Sequence, residues 1–545
     1  MSFPVPLEDL ARPQRPEPDA VAEREPWVRR GLAVLPVLAL AVASLWWPDH
    51  GDQTLFRLSA VQLNNGWVYY RDIWDIKQPG VYWFYQLGEV LIPGGVGARV
   101  LEALLAVVAA VLVTRITASW DLRRSVRLAA PTVVLGPYLV WSFNAGVGQI
   151  EGLMNVLILA VVAAVWPTEG KVRPGWSWFV AGLAIGAVVL LKTLYGPIPF
   201  IVLAAAIWPS ARINRRASVL GSALALLGIV LPVIGALIYF ADHGILDLAL
   251  RTTFEMPAEV AKSPVTHNPG NRGFLAQSIK NMFAVVGPLA VVGLLTARRT
   301  GRLLLSVALT AVAATAFALT IPQLWTPYRW LMLAAPVGLL AVDGLEFVLA
   351  RLAARQRASA GWGRGVVFGL RAAAAVAVVG LTLPMLNQPI NLVRHAGDVP
   401  WGLDQMSRIG RSPDGPWLTE STSVVADQVT PGEQIYVFGD PGLMALLHAT
   451  QGAEITGWSM EMMPQSVWDE LARELSRSRP ALIFFDTRDW DAYRATEGEK
   501  VFALLDEQYR KAAVSPGGTW YRAKDPGQPL PEPGGTQLYS NPNLP

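Results

Sequence analysis

The segment Asp49–Gln86, DHGDQTLFRLSAVQLNNGWVYYRDIWDIKQPGVYWFYQ, concentrates charged and aromatic residues between two long apolar segments. Seven of its residues are Tyr or Trp. Its charged residues include Asp49, Asp52, Arg71, Asp72, Asp75 and Lys77. Because the flanking segments are apolar enough to enter a bilayer, the segment between them must emerge at a membrane surface. Charged groups beside a bilayer are costly to desolvate, so a cluster of them indicates a functional site.

The composition is that of a membrane protein. Of 545 residues, 52% are hydrophobic and 16% are charged, whereas soluble domains carry about 25% charged residues. The net charge of +3 is small, and the basic residues lie in short clusters between apolar segments, which disfavours a nucleic-acid partner. The absence of cysteine excludes disulfides, thiolate metal sites and Cys nucleophiles. The five His residues show no zinc-site spacing, but a carboxylate site for a divalent cation, Mg²⁺ or Mn²⁺, stays open.

Eleven apolar segments predict a polytopic α-helical membrane protein of about 11 transmembrane helices. They are 31–47, 97–117, 127–143, 149–166, 176–192, 194–208, 218–240, 281–297, 303–320, 328–350 and 365–386. Every second loop between them is basic, as the positive-inside rule requires. The rule then predicts a multi-pass membrane protein with a cytoplasmic N-terminus and an extracytoplasmic C-terminal domain. The high Ala, Arg and Gly content is typical of a GC-rich bacterium, so the expected location is the bacterial inner membrane.

The sequence predicts four regions. They are a disordered cytoplasmic tail at 1–30, a transmembrane domain at 31–390 with external loops at 48–96 and 241–280, an extracytoplasmic α/β domain at 400–525, and a flexible tail at 526–545. In the α/β domain, 434–440 and 480–486 are predicted as buried strands, 465–479 and 497–508 as helices, and 519–523 as an edge strand.

The polar residues of the apolar segments gather at one end. The middles of 218–240, 281–297 and 303–320 carry no ionisable residue, which disfavours a proton-coupled transporter. The polar residues at the predicted outer ends are Glu89, Glu102, Asn144, Gln149, Glu151, Lys192 and Arg329. The chemistry is therefore expected at the outer interface, where a substrate with a lipid tail and a polar head would lie.

The Asp49–Gln86 segment resembles the first external loop of bacterial family 39-type glycosyltransferases of the GT-C superfamily. Their relatives include protein O-mannosyltransferases and the aminoarabinose transferases that modify lipid A. The matching residues are Asp52, Gln53, Gly66, Tyr70, Arg71, Asp72, Asp75, Lys77, Pro79 and Gly80, with Gln78 where a second proline is usual. Segments 147–155, 190–197 and 431–447 resemble later family motifs. Pro327 precedes Tyr328, at a position where the family often has a His.

This resemblance implies a GT-C fold and an inverting transfer of a hexosyl or pentosyl group from a polyprenyl-phosphate sugar donor. The acceptor would be an extracytoplasmic cell-wall glycan, lipid or protein, and membrane lipid would surround the enzyme. Such a transfer needs a carboxylate base for the acceptor hydroxyl and cations where phosphate charge develops. By its position after the first helix, Asp52 is the predicted base. The alternative is that Asp52 caps a helix that begins near Thr54.

The other candidates carry alternatives of their own. Lys77 is the predicted phosphate ligand, or else a snorkelling interfacial lysine. Asp72 and Asp75 position hydroxyls, bind a cation, or pair with Arg71 and Lys77. Glu151 supports the catalytic site or only the start of its helix. The remaining predicted substrate-binding residues are Tyr70, Arg71, Lys192, Tyr328 and Arg329. The aromatic residues of the loop either stack on substrate or form an interfacial belt.

Two other functions stay open at this stage. A lipid-linked glycan polymerase or ligase would use a similar donor. A flippase for lipid-linked sugars would need a polar path through the helices, which their charge-free middles disfavour.

Overall fold

In the computed structural model, the described residues are 27–46, 51–141, 148–168, 170–260, 283–320, 327–358, 390, 394, 417–458, 460–486 and 490–527. The helices before residue 360 are α1 (Trp27–Ala43), α2 (Asp52–Asn64), α3 (Pro79–Leu91), α4 (Gly97–Ala118), α5 (Arg124–Trp141), α6 (Ile150–Val165), α7 (Gly175–Leu191), α8 (Pro197–Ile213), α9 (Arg215–Asp242), α10 (Leu246–Leu250), α11 (Met256–Val260), α12 (Val286–Thr300), α13 (Leu303–Thr320) and α14 (Ala334–Ala358). A 3₁₀ segment, Pro327–Leu333, precedes α14.

The predicted apolar segments from 31–47 to 328–350 each overlap one of these helices, while 365–386 lies outside the described residues. Within the described part of the chain, five helical stretches are long and apolar enough to cross a membrane. They are Gly97–Ala118, Thr193–Ile213, Arg215–Asp242, Leu303–Thr320 and Tyr328–Ala354. Three shorter apolar helices accompany them. The predicted class, a polytopic helical membrane protein with a C-terminal α/β domain, is confirmed.

Small residues bring the helices together. A Cβ atom on Gly182 of α7 would lie 2.0 Å from the carbonyl oxygen of Ala225 on α9. A Cβ atom on Gly344 of α14 would lie 1.9 Å from the carbonyl oxygen of Leu289 on α12. Because lipid supplies no hydrophobic driving force between helices, such close backbone contacts contribute much of the association.

The loop between α1 and α4, called here the first loop, contains two helices, α2 and α3. Pro79 begins α3, where its missing N–H costs no hydrogen bond. The first helix of the loop starts at Asp52, and Gly51 is its N-cap without a side-chain capping bond. The interpretation of Asp52 as the cap of a helix near Thr54 is therefore wrong, because its carboxylate faces other partners.

The C-terminal domain is built on a five-stranded sheet of order β2-β1-β3-β5-β4. Its elements are α15 (Trp417–Ser423), β1 (Gln434–Phe438), α16 (Gly442–Leu446), β2 (Thr450–Gln451), α17 (Gln465–Ser478), β3 (Leu482–Asp486), α18 (Asp491–Arg494), α19 (Glu499–Gln508), β4 (Tyr509–Ser515) and β5 (Gly518–Ala523). β1 is parallel to β2 and β3, with Tyr436 opposite Ile483, whereas β5 is antiparallel to β3 and β4. Val467, Leu471 and Leu475 of α17 are buried, as their helical spacing predicts.

One strand prediction is wrong. The segment 519–523 was expected at the edge, but β5 lies between β3 and β4. The strand that covers it, β4, carries exposed residues at most of its positions and a register shift between Lys511 and Ala513. Without regular alternation, this sequence gives no strand signal.

The C-terminal domain docks on the first loop through backbone pairing. Trp74 N–H donates to the Glu454 carbonyl at 2.9 Å, and Thr456 N–H donates to the Trp74 carbonyl at 3.1 Å. The Trp74 indole donates to Thr252 Oγ1 at 3.3 Å. Residues 246–260, part of the second predicted loop, are helical, and Thr252 among them contacts Trp74 at this junction. The carboxyl end of β1 meets the helical domain here.

Candidate active site

The carboxylate of Asp52 is the centre of a buried polar cluster at this junction. Its Oδ1 accepts a hydrogen bond from the Trp458 indole at 2.6 Å and lies 3.2 Å from Lys77 Nζ. Its Oδ2 accepts from Gln149 Nε2 and from the Tyr328 hydroxyl, both at 3.3 Å. Residues from the first loop, the start of α6, the 3₁₀ segment and the C-terminal domain thus converge on one carboxylate.

Lys77 links Asp52 to a second carboxylate. Its ammonium group lies 2.9 Å from Oδ2 of Asp75, which is completely buried. The same Oδ2 accepts the Tyr82 hydroxyl at 2.6 Å, and Oδ1 accepts Ile76 N–H at 2.8 Å. The Lys77 side chain is 14% exposed. An interfacial snorkelling lysine would extend into solvent, so that alternative for Lys77 does not fit its position.

Two tyrosines fix the backbone of Lys77. The hydroxyls of Tyr69 and Tyr70 donate to its carbonyl oxygen at 2.7 and 2.9 Å. Tyr70 has φ 73°, a conformation that non-glycine residues seldom adopt. Both rings are buried, so Tyr70, a predicted substrate-binding residue, contacts the loop here and positions Lys77.

The charges of the cluster stabilise one another. Burial raises the pKa of Asp52, but the charge of Lys77 and the hydrogen bonds from Trp458, Lys77 and Gln149 outweigh it, and the pKa lies below the usual carboxyl value. Burial lowers the pKa of Lys77, but the charges of Asp52 and Asp75 raise it above the ordinary lysine value. Asp52 is therefore an ionised carboxylate and Lys77 an ammonium cation at neutral pH.

Glu151, Lys192 and Arg329 form a second group. The carboxylate of Glu151, buried in the first turn of α6, accepts from Lys192 Nζ at 3.2 Å and from the Tyr195 hydroxyl at 2.9 Å. Arg329 is buried and exerts its charge on Lys192 and Tyr195. Because Arg329 follows Tyr328 in the 3₁₀ segment, the second group adjoins the Asp52 cluster.

Asn155 holds the 3₁₀ segment in place. Its Nδ2 donates to the Leu331 carbonyl at 2.8 Å, and its Oδ1 accepts Ala335 N–H at 2.8 Å. These two bonds fix the segment that carries Tyr328 and Arg329 against α6.

Arg71 and Asp72 lie apart from this cluster. Nε and one terminal nitrogen of the Arg71 guanidinium donate to the two carboxylate oxygens of Asp72, each at 2.9 Å. Asp72 also accepts a hydrogen bond from Val68 N–H at 2.8 Å. The Arg71 side chain is 50% exposed. The aromatic residues of the first loop are mostly buried against one another and the C-terminal domain, so they form a core rather than an interfacial belt.

The two carboxylates predicted to bind a cation are paired with side-chain cations, Asp72 with Arg71 and Asp75 with Lys77. Among the described residues, no group of three or more His, Asp or Glu side chains is placed to hold a metal ion. A Mg²⁺ or Mn²⁺ ion would have to displace these partners, so the residues present do not fit it as arranged. A divalent cation here stays a prediction that needs a direct test.

The sequence did not indicate Trp458, which is a single residue without a local motif. Asn155 closes the segment 147–155, whose likeness to a family motif indicated no role for its amide. Tyr82 belongs to the aromatic run of the first loop, which gives no hint of its bond to Asp75. Gln149 was recognised as a polar residue at a helix end, but its contact with Asp52 spans 97 positions of the chain.

The fold is similar to two solved structures of ArnT from Cupriavidus metallidurans. The apo structure aligns with a TM-score of 0.54 and 15% identity over 91% of this chain and 97% of ArnT. The structure of ArnT bound to undecaprenyl phosphate aligns with a TM-score of 0.54 and 16% identity over 92% and 99%. An oligosaccharyltransferase from Archaeoglobus fulgidus aligns with a TM-score of 0.46 and 14% identity over 90% and 73%. No family model and no curated protein sequence matches the chain.

The chain therefore shares the fold of the ArnT structures, as the resemblance of its first loop predicts.

Proposed function

We propose that this protein is a membrane glycosyltransferase that moves a sugar from a polyprenyl-phosphate donor to an acceptor hydroxyl with inversion. The observation that carries the proposal is the buried Asp52–Lys77 pair where apolar helices meet the C-terminal domain. A lipid-linked donor would place its chain along the helices and its phosphate beside these charges. The binding of undecaprenyl phosphate by ArnT, which shares the fold, supports this donor class.

In the proposed reaction, Asp52 accepts the proton of the acceptor hydroxyl as its oxygen attacks the anomeric carbon. The bond between that carbon and the phosphate oxygen breaks, and the lipid phosphate leaves. Phosphate is a good leaving group and needs little protonation. A positioned base contributes about 10²–10⁴ in rate.

Lys77 links donor binding to the activity of the base. Its ammonium group lies between Asp52 and Asp75, and a donor phosphate would compete for it through charge-assisted bonds. When Lys77 turns to the phosphate, Asp52 loses its nearest positive charge. Its pKa then rises and it becomes a stronger base. Lys192, Tyr328 and Arg329 supply further hydrogen-bond donors beside the same position.

The acceptor class proposed is an extracytoplasmic cell-wall glycan, lipid or protein. The proposed orientation has the N-terminus in the cytoplasm of a bacterial cell and the C-terminal domain outside its inner membrane. Its support is the alternation of basic loops in the sequence.

The test uses purified protein in lipid nanodiscs, a panel of radiolabelled polyprenyl-phosphate hexoses and pentoses, and a membrane extract as acceptor. Wild type is compared with Asp52→Asn. Asp506→Asn is the matched control, because Asp506 is exposed and pairs only at the surface with Arg494. Transfer by wild type and the control, but not by folded Asp52→Asn, supports the proposal. If wild type transfers no label from any donor yet moves labelled donor across liposome bilayers, the chain is a flippase and the proposal is wrong.

A further inference from the structure

We propose that Trp458 is a positioning residue for Asp52, so that the C-terminal domain completes the active site. This inference rests on the proposed function and adds a residue and a domain to it. Trp458 lies in the loop between β2 and α17, and its indole reaches Asp52 across 406 positions of the chain.

The geometry distinguishes Trp458 from the other partners of Asp52. Its bond to Oδ1, at 2.6 Å, is the shortest of the contacts described above for this carboxylate. The indole N–H only donates and does not titrate in the physiological range. A donor phosphate can draw Lys77 away, but a neutral indole has no charge that attracts it to phosphate. Trp458 therefore holds the orientation of Oδ1 while Lys77 changes partner.

The surrounding backbone is shaped around the indole. Gly51, with φ 54°, packs so closely that a Cβ atom there would lie 2.4 Å from the Trp458 ring. Gly457 packs against the end of β1, where a Cβ atom would lie 1.9 Å from the Val437 carbonyl oxygen. Gly51 thus admits the ring, and Gly457 lets the backbone before Trp458 pack closely on β1.

Further contacts link the loop that carries Trp458 to the end of β1, and the end of β1 to Gly51. Gly439 N–H donates to the Gly457 carbonyl at 3.2 Å. Asp440 Oδ1 accepts Gly51 N–H at 3.4 Å and Gly442 N–H at 2.8 Å. The carboxyl ends of parallel strands are where α/β domains commonly place ligands and functional loops, and the loop that follows β2 carries Trp458.

Loss of this donor should change the titration of Asp52. The charged and titratable groups that face Asp52 are Lys77, Asp75, Tyr82 and Tyr328, with Asp440 beyond Gly51. All of them stay in a Trp458→Phe variant, which removes one N–H bond from the ionised form. The pKa of Asp52 should therefore rise by roughly one unit, which shifts the acidic limb of the rate to higher pH.

The matched pair of variants is Trp458→Phe and Trp520→Phe. The Trp520 indole lies in the core of the same domain and donates to the Ser421 carbonyl at 2.7 Å. Each substitution thus removes one indole hydrogen bond donated by the C-terminal domain. Only Trp458→Phe removes a hydrogen bond to Asp52. A third protein carries benzothienylalanine at position 458, in which sulfur replaces the N–H and the ring shape is kept.

Two readouts are taken from roughly pH 2 to 7, because the pKa of Asp52 lies below the usual carboxyl value. The first is kcat and KM for sugar transfer. The second is the carboxylate infrared band of Asp52, obtained as the difference from Asp52→Asn, which needs no substrate. We expect Trp458→Phe and the benzothienylalanine protein to shift both profiles upward by roughly one pH unit and to lower kcat about tenfold at acidic pH. The KM for the donor should change little, and Trp520→Phe should match wild type.

Unchanged profiles in a folded protein without the Trp458 N–H would overturn the inference. The benzothienylalanine protein decides the matter if Trp458→Phe does not fold. If the infrared titration shifts but wild type transfers no sugar, Trp458 positions Asp52 and the proposed function is the part that fails.

Discussion

The ammonium group of Lys77 lies 2.9 Å from Oδ2 of Asp75, whose carboxylate is completely excluded from solvent. The same ammonium lies 3.2 Å from Oδ1 of Asp52. One cation therefore compensates two carboxylates in a setting where an unpaired charge is costly. Asp75 also accepts the Tyr82 hydroxyl, which keeps its orientation fixed. The pair holds Lys77 within reach of the predicted base and, in the proposed function, of the donor phosphate.

Lys77→Met should destabilise the protein by about 3–5 kcal/mol, because it leaves a buried charge unpaired. Thermal unfolding in detergent measures this effect. Lys77→Met/Asp75→Asn should regain part of the loss, since one of the two carboxylates is then neutral. A Lys77→Met melting temperature equal to that of wild type would show that the ion pairs contribute nothing to stability.

Asn155→Leu should raise the KM for the lipid donor more than it lowers kcat. The substitution removes the bonds to Leu331 and Ala335, worth about 1 kcal/mol each, and frees the 3₁₀ segment that carries Tyr328 and Arg329. Asn214→Ala is the control, because Asn214 caps α9 through Ala217 N–H. Equal donor KM values in Asn155→Leu and wild type would mean that the segment is held by other contacts.

Glu474 should make the stability of the C-terminal domain pH-dependent. Burial, with the charge of Glu454, raises the pKa of Glu474 to about 7, although the backbone N–H groups of Ile455 and Glu454 lower it. The folded pKa exceeds the ordinary value of 4.5. The stabilisation is therefore complete below pH 4.5 and is lost as the pH rises through 7.

This shift corresponds to a stabilisation on the order of 3 kcal/mol. Glu474→Gln keeps an oxygen that accepts both backbone N–H groups but does not titrate. Unfolding temperatures measured from acid to neutral pH should fall for wild type and stay level for Glu474→Gln. Parallel curves for the two proteins would assign the pH dependence to other groups.

Removal of divalent cations should leave sugar transfer within about twofold of the untreated rate, since side-chain cations already compensate the carboxylates of Asp72 and Asp75. EDTA is added to the nanodisc assay, and Mg²⁺ or Mn²⁺ is then restored. A loss of transfer that either ion reverses would show that a metal takes part and that Asp72 or Asp75 changes partner to bind it.

Much of the site could be found from the first loop. Asp52, Asp75 and Lys77 lie within one short stretch, and charge in an apolar context is a strong signal. Arg71 and Asp72 share that stretch, yet they form their own exposed pair. Sequence proximity alone could not separate the two groups, because Arg71 and Asp72 lie in a turn closed by the bond from Tyr70 N–H to the Ile73 carbonyl, and Asp75 and Lys77 follow that turn.

The sequence by itself determined the class of the protein. Backbone groups in lipid must be satisfied within the segment, so long apolar stretches can only be helices. The spacing of Val467, Leu471 and Leu475 likewise determined an amphipathic helix. Both patterns, the long apolar stretch and the helical spacing, depend on residues that lie close to one another in the sequence.

Only the tertiary structure decided what surrounds the Asp52 carboxylate. Its contacts with Gln149, Tyr328 and Trp458 span 97, 276 and 406 positions. A hydrogen bond acts over about 3 Å, and no periodic pattern encodes which distant residue comes that close. The packing of the helices and the docking of the C-terminal domain bring these donors together, and so set the ionisation and orientation of the carboxylate.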